Sequence, residues 1–185
     1  VYSARIIPLR GSWVEFTTDI NDILYVYIDR RKKFPVTMLL RGLGYSLDRD
    51  ILDLFNLAED VTVKKLKADT HGGRTVINDI INLDTGELLL EKGGEITEEF
   101  IASLKGTKIK TISLLNHDVT LGPEVISNTL VKDVTKNEAQ ALEAIYRNLR
   151  SGDSPDIETA RSFLERMFFN PKRYDLGEVG RYRLN

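Results

Sequence analysis

The sequence predicts an α+β fold in which an antiparallel β-hairpin or small sheet packs with several helices and carries a small inserted β-rich strand–helix–strand module. Three observations support this class. Residues 12–29 alternate as two strands do, residues 136–169 show helical spacing, and residues 58–118 hold short β-prone pieces around one short helix. An apolar fraction of 42%, with seven Tyr and seven Phe, is enough for a core.

The hairpin is predicted from "SWVEFTTDINDILYVYID", in which "TDIND" supplies the turn residues. Strand alternation assigns the side chains to two faces. The apolar face is formed by Val14, Phe16, Leu24, Val26 and Ile28. The mixed face is formed by Trp13, Glu15, Thr17, Tyr25, Tyr27 and Asp29. Aromatic side chains among carboxylates are unusual in a core, so the mixed face is interpreted as a half-exposed recognition surface.

Two short helices are predicted after the hairpin. Pro35 suits the first turn of a helix that ends near Gly42 or Gly44. The hydroxyl of Ser46 is expected to cap the second helix. The predicted buried stripe of that helix is Ile51, Leu54 and Phe55.

The composition changes at about Asn56, after which "VTVKKLK", "TVINDIINL", "GELLLEKG" and "KIKTISLL" are all β-prone. Between the last two pieces, Thr97 is expected to cap a short helix that Gly106 ends. We therefore predict a discontinuous main domain, residues 1–57 and 119–185, with an inserted module at residues 58–118.

Two longer helices are predicted near the end of the chain. The first is expected to close at Gly152 and to bury Ala139, Leu142, Ile145, Tyr146 and Leu149. The second is expected to have Ser154 as its cap and Pro155 at its first position. Its predicted buried stripe is Ile157, Ala160, Leu164, Met167 and Phe168.

Composition excludes several classes of function. The chain has no cysteine, which excludes disulfides and thiol catalysis and fits a reducing, cytoplasmic compartment. With His71 and His117 as the only histidines, a structural zinc site is not expected. No apolar run approaches the roughly 20 residues that span a bilayer. The chain begins at Val1, without a signal-peptide pattern, and is expected to be a piece of a longer protein.

The sequence contains no recognisable catalytic set. Neither phosphate-cradling glycine motif is present, and "HGGR", residues 71–74, is interpreted as a loop. Asp48, Asp50 and Asp53 have a suggestive spacing for metal binding, but they lie in a predicted helix without the glycine and closing glutamate of a calcium loop. The isolated chain is therefore predicted to be inactive.

Two features remain for binding. Trp13, the one tryptophan, is either an outward indole that can stack on an unpaired base or the cap of a second small core. The cations of "DRRKKF", among them Arg30, Arg31 and Lys33, form either a solvated turn or a phosphate-binding rim. The net charge of -2 means that any nucleic-acid binding must come from such a local patch.

Long stretches of the sequence resemble the lobe, or second domain, of the β subunit of bacterial DNA-directed RNA polymerase. They are "YSARIIPLRGSWVEF", "YIDRRKKFPVTMLLRGLGYS" with "ILDLF", and "ERMFF" with "RYDLGEVGRYRLN". The resemblance covers roughly residues 1–57 and 119–185. Residues 58–118 resemble the lineage-variable insertion of that lobe, with one copy of its strand–helix–strand module.

The resemblance implies that the chain forms a wall of the DNA cleft and contacts the non-template strand and the downstream duplex. It implies base stacking by Trp13 and DNA contacts by Arg30, Arg31 and Lys33. It implies no catalytic residue, metal or cofactor on this chain, because the aspartates that hold magnesium belong to the β′ subunit. The implied partners are DNA and the β′, α, ω and σ subunits of a nucleotidyltransferase, with no membrane.

The sequence leaves two other functions open. Residues 58–118 are alternatively a docking module for transcription factors. The chain is otherwise a free-standing single-strand binder, which would have to bind DNA tightly on its own.

Overall fold

The structure is a computed structural model that describes residues 1–116, 123–150 and 155–184. Three residues with predicted roles, His117, Gly152 and Ser154, lie outside the described residues. Within the described ranges, antiparallel strands combine with helices, and the predicted α+β class is confirmed.

The described residues form eight strands and eight helices, numbered here in chain order. The strands are β1 (Ser3–Ile6), β2 (Val14–Thr18), β3 (Leu24–Ile28), β4 (Phe34–Pro35), β5 (Ala58–Thr62), β6 (Ile80–Ile81), β7 (Leu88–Leu90) and β8 (Thr111–Leu115). The helices are α1 (Val36–Gly42), α2 (Asp48–Leu54), α3 (Ala68–His71), α4 (Glu98–Leu104), α5 (Pro123–Lys132), α6 (Glu138–Leu149), α7 (Ile157–Phe168) and α8 (Gly177–Leu184). The chain divides into a first unit, Val1–Ile51 with Glu124–Asn185, and a second unit, Leu52–Pro123.

The first unit is built on a four-stranded antiparallel sheet with the strand order β1-β2-β3-β4. Val14 pairs with Ile28 and Glu15 pairs with Tyr27, so β2 and β3 form the predicted hairpin. Because directly paired residues lie on the same face of a sheet, this register confirms the two predicted faces. Of these residues, Val14 and Ile28 are buried, and Glu15 and Tyr27 are half-buried. Tyr25, which was predicted on the half-exposed mixed face, is buried.

The buried face of the sheet packs against helices from both ends of the chain. The core cluster consists of Val14, Val26, Ile28, Phe34, Met38, Leu39, Ala141, Leu142, Ile145, Leu149, Ala160 and Leu164. Each large aliphatic side chain buried here contributes roughly 1.5–3 kcal/mol relative to an exposed one. The predicted helical stripe of α6 is thereby confirmed at Leu142, Ile145 and Leu149.

Helices α1 and α6 approach closely because α1 ends in a glycine. A Cβ atom on Gly42 would lie 2.9 Å from Ile145 Cδ1 and 3.2 Å from Leu164 Cδ1. A side chain at this position would have to displace two core residues, and such overpacking is destabilising.

A buried arginine joins α1 to two other segments of the first unit. Arg41 is 1% exposed, and its Nε donates to Asp133 Oδ2 at 3.4 Å. Its Nη1 donates to the carbonyl oxygen of Ser46 at 2.6 Å, and its Nη2 pairs with Asp48. The charge is therefore compensated by carboxylates on both sides, as burial of an ion requires.

The carboxylate of Asp133 accepts further hydrogen bonds on both of its oxygens. Asp133 Oδ2 also accepts from Thr37 Oγ1 at 2.8 Å. Asp133 Oδ1 accepts from the backbone N–H and the hydroxyl of Thr135, at 2.9 and 2.6 Å. This network fixes the segment after α5 against α1.

Several local predictions need correction at helix ends. The side chain of Asp156 caps α7 by accepting from the N–H of Thr159, which lowers the pKa of this carboxyl; Pro155 therefore precedes the helix. Ile157, predicted to be buried, is 47% exposed because it opens the first turn. The Oγ of Ser46 accepts from the N–H of Glu138, and α2 begins at Asp48.

Two predictions in the middle of the chain also need correction. Leu54 is 43% exposed, and Leu52 is buried instead, because the chain reverses at Asn56 and returns the N–H of Leu57 to the carbonyl of Leu52. The stretch "VTVKKLK" is a strand only as far as Thr62. A 3-10 turn over Val63–Lys65 follows, because it buries both Val63 and Leu66.

The second unit has its own core. Strand β5 pairs with β8 and strand β6 pairs with β7, both antiparallel. The core cluster consists of Val61, Val63, Leu66, Val76, Ile80, Ile96, Ile101, Leu104, Ile112 and Leu114. The predicted helix after Thr97 is confirmed as α4, with the Thr97 side chain accepting from the N–H of Phe100. The glycine-rich stretch is held by Arg74, which donates to the carbonyl of Leu115.

Among the described helices, none has both the length and the apolar composition needed to cross a bilayer.

We expect Asp133→Asn to lower the free energy of unfolding by about 3 kcal/mol, because it leaves the buried Arg41 with less opposing charge. Urea denaturation of the chain measures the change. The control is Glu143→Gln, which removes a carboxylate from the exposed pair with Arg147 and is expected to change stability by about 0.5 kcal/mol or less. Equal losses for the two variants would contradict a stabilising role for the network.

Candidate nucleic-acid interface

Trp13 lies directly before β2 and is 38% exposed. Of the two alternatives that the sequence leaves open, the structure therefore shows the partly exposed indole. Its role in binding stays a prediction.

The backbone of Trp13 is held by the residue that ends the hairpin. The Trp13 N–H donates to Asp29 Oδ1 at 2.8 Å, and the Asp29 N–H donates to the Trp13 carbonyl at 2.9 Å. This two-way contact joins the start of β2 to the turn after β3. The position of the indole is thus set by the hairpin itself.

The turn that follows β3 adopts an unusual backbone conformation. The Arg31 N–H donates to the Ile28 carbonyl at 3.0 Å, and the central residues Asp29 and Arg30 have φ values of 49° and 57°. Positive φ at both central positions defines a type I′ turn, which usually takes Asn and Gly. A long side chain such as that of Arg30 costs roughly 1–2 kcal/mol in this region. Strain of this kind occurs often at functional sites.

The strained turn brings Arg30 onto the indole. The guanidinium carbon of Arg30 lies 5.6 Å from the centroid of the Trp13 ring, a cation–π distance. The structure therefore unites two of the predicted site residues in one contact. A flat ring beside a guanidinium can hold an unpaired base together with its phosphate.

The other two predicted residues are not in that contact. Lys33 Nζ lies 4.1 Å from the centroid of the Tyr25 ring, which is on the mixed face of the hairpin. The side chain of Arg31 is exposed at the end of the turn. The cation run thus divides into one guanidinium on Trp13, one ammonium on Tyr25 and one exposed guanidinium between them in sequence.

Asp29 is the residue that sequence reasoning missed as an organiser of the site. Alternation placed it on the mixed face without a role. The available signal was its position before the cations, because Asp tolerates positive φ better than most residues and its side chain accepts from nearby N–H groups.

The aspartates considered for metal binding have other partners. Asp48 pairs with Arg41, and Asp50 Oδ2 accepts from the N–H of Leu47 at 2.9 Å. Over residues 1–116, 123–150 and 155–184, no three His, Asp or Glu side chains are grouped so that they could hold a metal ion.

Comparison with known proteins gives a consistent result. The family model described as RNA polymerase Rpb2, domain 2, matches residues 1–79 and 97–185. The chain is 45% identical over 202 residues to a DNA-directed RNA polymerase subunit beta from Cytophaga hutchinsonii, and 48% identical over 192 residues to one from Chlorobaculum tepidum. Both alignments cover the whole chain, which spans 16% and 14% of the length of these relatives.

The single tryptophan makes the Trp13–Arg30 contact testable by fluorescence quenching. We expect Arg30→Gln to lower the iodide quenching constant about twofold at low ionic strength, because the local positive charge that attracts the anion is removed. Quenching by neutral acrylamide should change little.

The matched control is Lys132→Gln. Lys132 ends α5, whose Thr129 accepts from the N–H of Leu24 at the other end of the hairpin from Trp13. An equal fall in iodide quenching for both variants would mean that Arg30 is not beside the indole.

Proposed function

The chain belongs to the RNA polymerase Rpb2 domain 2 family, and from this premise we propose that it is a DNA-handling wall of a bacterial DNA-directed RNA polymerase. In this role the chain lines the DNA cleft and contacts the non-template strand and the downstream duplex. The observation that carries the proposal is the half-exposed indole of Trp13 under the guanidinium of Arg30. The β′, α, ω and σ subunits are the proposed protein partners.

Stacking is the contact that Trp13 can make once a duplex has opened. A base stacked on an aromatic side chain contributes roughly 1–3 kcal/mol, largely independent of sequence. The same indole has no unpaired base to stack on in closed duplex DNA. We therefore assign Trp13 to the melted non-template strand.

The cations suit a different contact. Arg30, Arg31 and Lys33 are exposed, and exposed cations bind phosphates by releasing counterions without reading sequence. A polymerase must move along its template, so weak and sequence-independent contacts suit it better than tight base readout. We assign these residues to the DNA backbone.

Bond formation is proposed to lie on another polypeptide. In this proposal the β′ subunit holds the catalytic magnesium, and no residue of this chain has a catalytic role. The chain contributes position and electrostatics to the reaction.

In the assembled polymerase, we expect Trp13→Ala to shorten the lifetime of the open promoter complex by about 5- to 150-fold, as the loss of one stacked base implies. Competitor challenge measures this lifetime. Trp13→Phe keeps a flat ring and is the control, with a smaller loss. An Ala variant with the parental lifetime would reject the stacking role.

We expect Arg30→Ala combined with Arg31→Ala to flatten the salt dependence of promoter binding. Each lost contact to a single-strand phosphate should reduce the log–log slope by about 0.7. Titration from low to physiological salt measures the slope, and Lys132→Gln is the single-charge control. An unchanged slope in the double variant would count against phosphate contacts.

We also propose that residues 58–118 are an inserted docking module for a transcription factor. The second unit has its own core, and it presents an apolar concavity of about 810 Å³ with lysines at its rim. These lysines are Lys64, Lys105, Lys108 and Lys110. Apolar surface rimmed by positive charge fits an amphipathic, acidic segment of a partner.

Deletion of residues 58–118 from the polymerase tests this second function. We expect basal transcription to persist and the response to one factor to be lost. Failure of the enzyme to assemble would instead show that the segment is structural.

A further inference from the structure

A second group of cations surrounds a concavity in the first unit, next to the contact between Trp13 and Arg30. The concavity has a volume of about 540 Å³. Its charged lining consists of Arg10, Arg150, Arg166, Lys172, Arg173 and Asp29. We call it the arginine concavity.

The cations come from separate parts of the chain. Arg10 precedes β2, Arg150 directly follows α6, Arg166 lies on α7, and Lys172 and Arg173 lie between α7 and α8. The sequence does not predict this group from a local run of charge, because its residues come together only in the fold.

The Arg10 segment is fixed against the Arg173 segment. The N–H groups of Arg10 and Asp175 each donate to the carbonyl of the other, at 3.1 and 2.8 Å. Gly11 permits this approach, since its φ is 119° and a Cβ there would lie 2.6 Å from Tyr174 Cδ2. Arg10 Nη1 also donates to the Lys172 carbonyl at 3.1 Å.

Two further guanidinium groups are positioned by neighbouring atoms. The guanidinium carbon of Arg150 lies 5.3 Å from the centroid of the Phe163 ring, and Arg166 Nε donates to the Ser162 carbonyl at 3.1 Å. These contacts orient the groups without neutralising them. In the described part of the chain, no carboxylate lies within ion-pair distance of any of the five cations.

Exposed like charges that lie close together repel one another and attract an anion. The one lining carboxylate, Asp29, already accepts from the N–H of Trp13. Guanidinium groups match phosphate with paired N–H donors, and a concave wall strengthens their field. The chemistry of the site therefore points to phosphate.

We propose that the arginine concavity binds one or two phosphate groups of the strand whose base stacks on Trp13. The proposal rests on the proposed function for the choice of strand. Ser12 lines the concavity and adjoins Trp13, and Asp29 both lines it and holds the Trp13 backbone. The concavity therefore begins one residue from Trp13, close enough for the phosphates that flank a base stacked on the indole. A soluble phosphate compound is the other source of the same chemistry.

The test uses the whole polymerase and promoters with one uncharged methylphosphonate linkage at a time along the non-template strand. In the parent enzyme we expect such a linkage at one or two positions to shorten the open-complex lifetime about tenfold. The variant Arg150→Gln with Arg166→Gln should show a similar loss on ordinary DNA and no further loss at those positions. Replacement of both arginines by lysine should restore part of the lifetime and the interference, which a misfolded variant would not.

Three results would overturn the assignment. The first is an interference pattern that is the same in the Gln variant as in the parent. The second is a parental lifetime for the Gln variant on ordinary DNA. The third is that tripolyphosphate shortens the lifetime of the parent but not of the Gln variant, while no methylphosphonate effect depends on the arginines. That result would mean that the site binds a soluble phosphate compound instead of the strand.

Two control variants complete the test. Lys132→Gln should match the parent in every arm. Trp13→Ala separates this proposal from the function on which it rests. A Trp13 variant with the parental lifetime, together with the expected arginine pattern, would reject stacking and keep the phosphate site. A shortened lifetime for the Trp13 variant without the arginine pattern would keep stacking and reject the phosphate site.

Discussion

The buried ion network around Arg41 is the interaction on which the first unit depends. Its guanidinium joins α1 to Asp133 after α5 and to Asp48 at the start of α2, within an almost fully buried site. A buried pair of this kind contributes little net stability over an apolar substitute. Removal of one partner is strongly destabilising, because it leaves a buried charge without a partner or water. The network therefore specifies one arrangement of these segments.

That arrangement reaches the hairpin at one of its ends. At one end, Thr129 on α5 accepts from the N–H of Leu24. Thr129 lies one helical turn before Asp133, whose N–H donates to the Thr129 carbonyl at 3.0 Å, so the residue that binds Arg41 is joined to this contact through the backbone. At the other end the hairpin holds itself, because Asp29 Oδ1 accepts from the N–H of Trp13. These contacts explain how a single indole can stay half-exposed and still keep a defined position.

Charge is concentrated locally on a chain whose net charge is -2. Arg30 occupies a strained turn, and five cations line the nearby arginine concavity without ion-pair partners among the described residues. The positive φ of Arg30 opposes stability and is retained in the fold. A strained turn beside a group of exposed cations is a pattern that occurs where a protein holds a polyanion.

The sequence by itself determined the hairpin, its two faces and the core stripe of α6, because these follow from periodicity within one segment. It also singled out Trp13 and Arg30, although not their contact. Only the tertiary structure decided which helix ends were capped, as with Asp156, and that Leu52 instead of Leu54 is buried. It alone assembled the arginine concavity and the Arg41 network. Their residues are far apart in the chain, and local patterns carry no information about which distant segments will pack together.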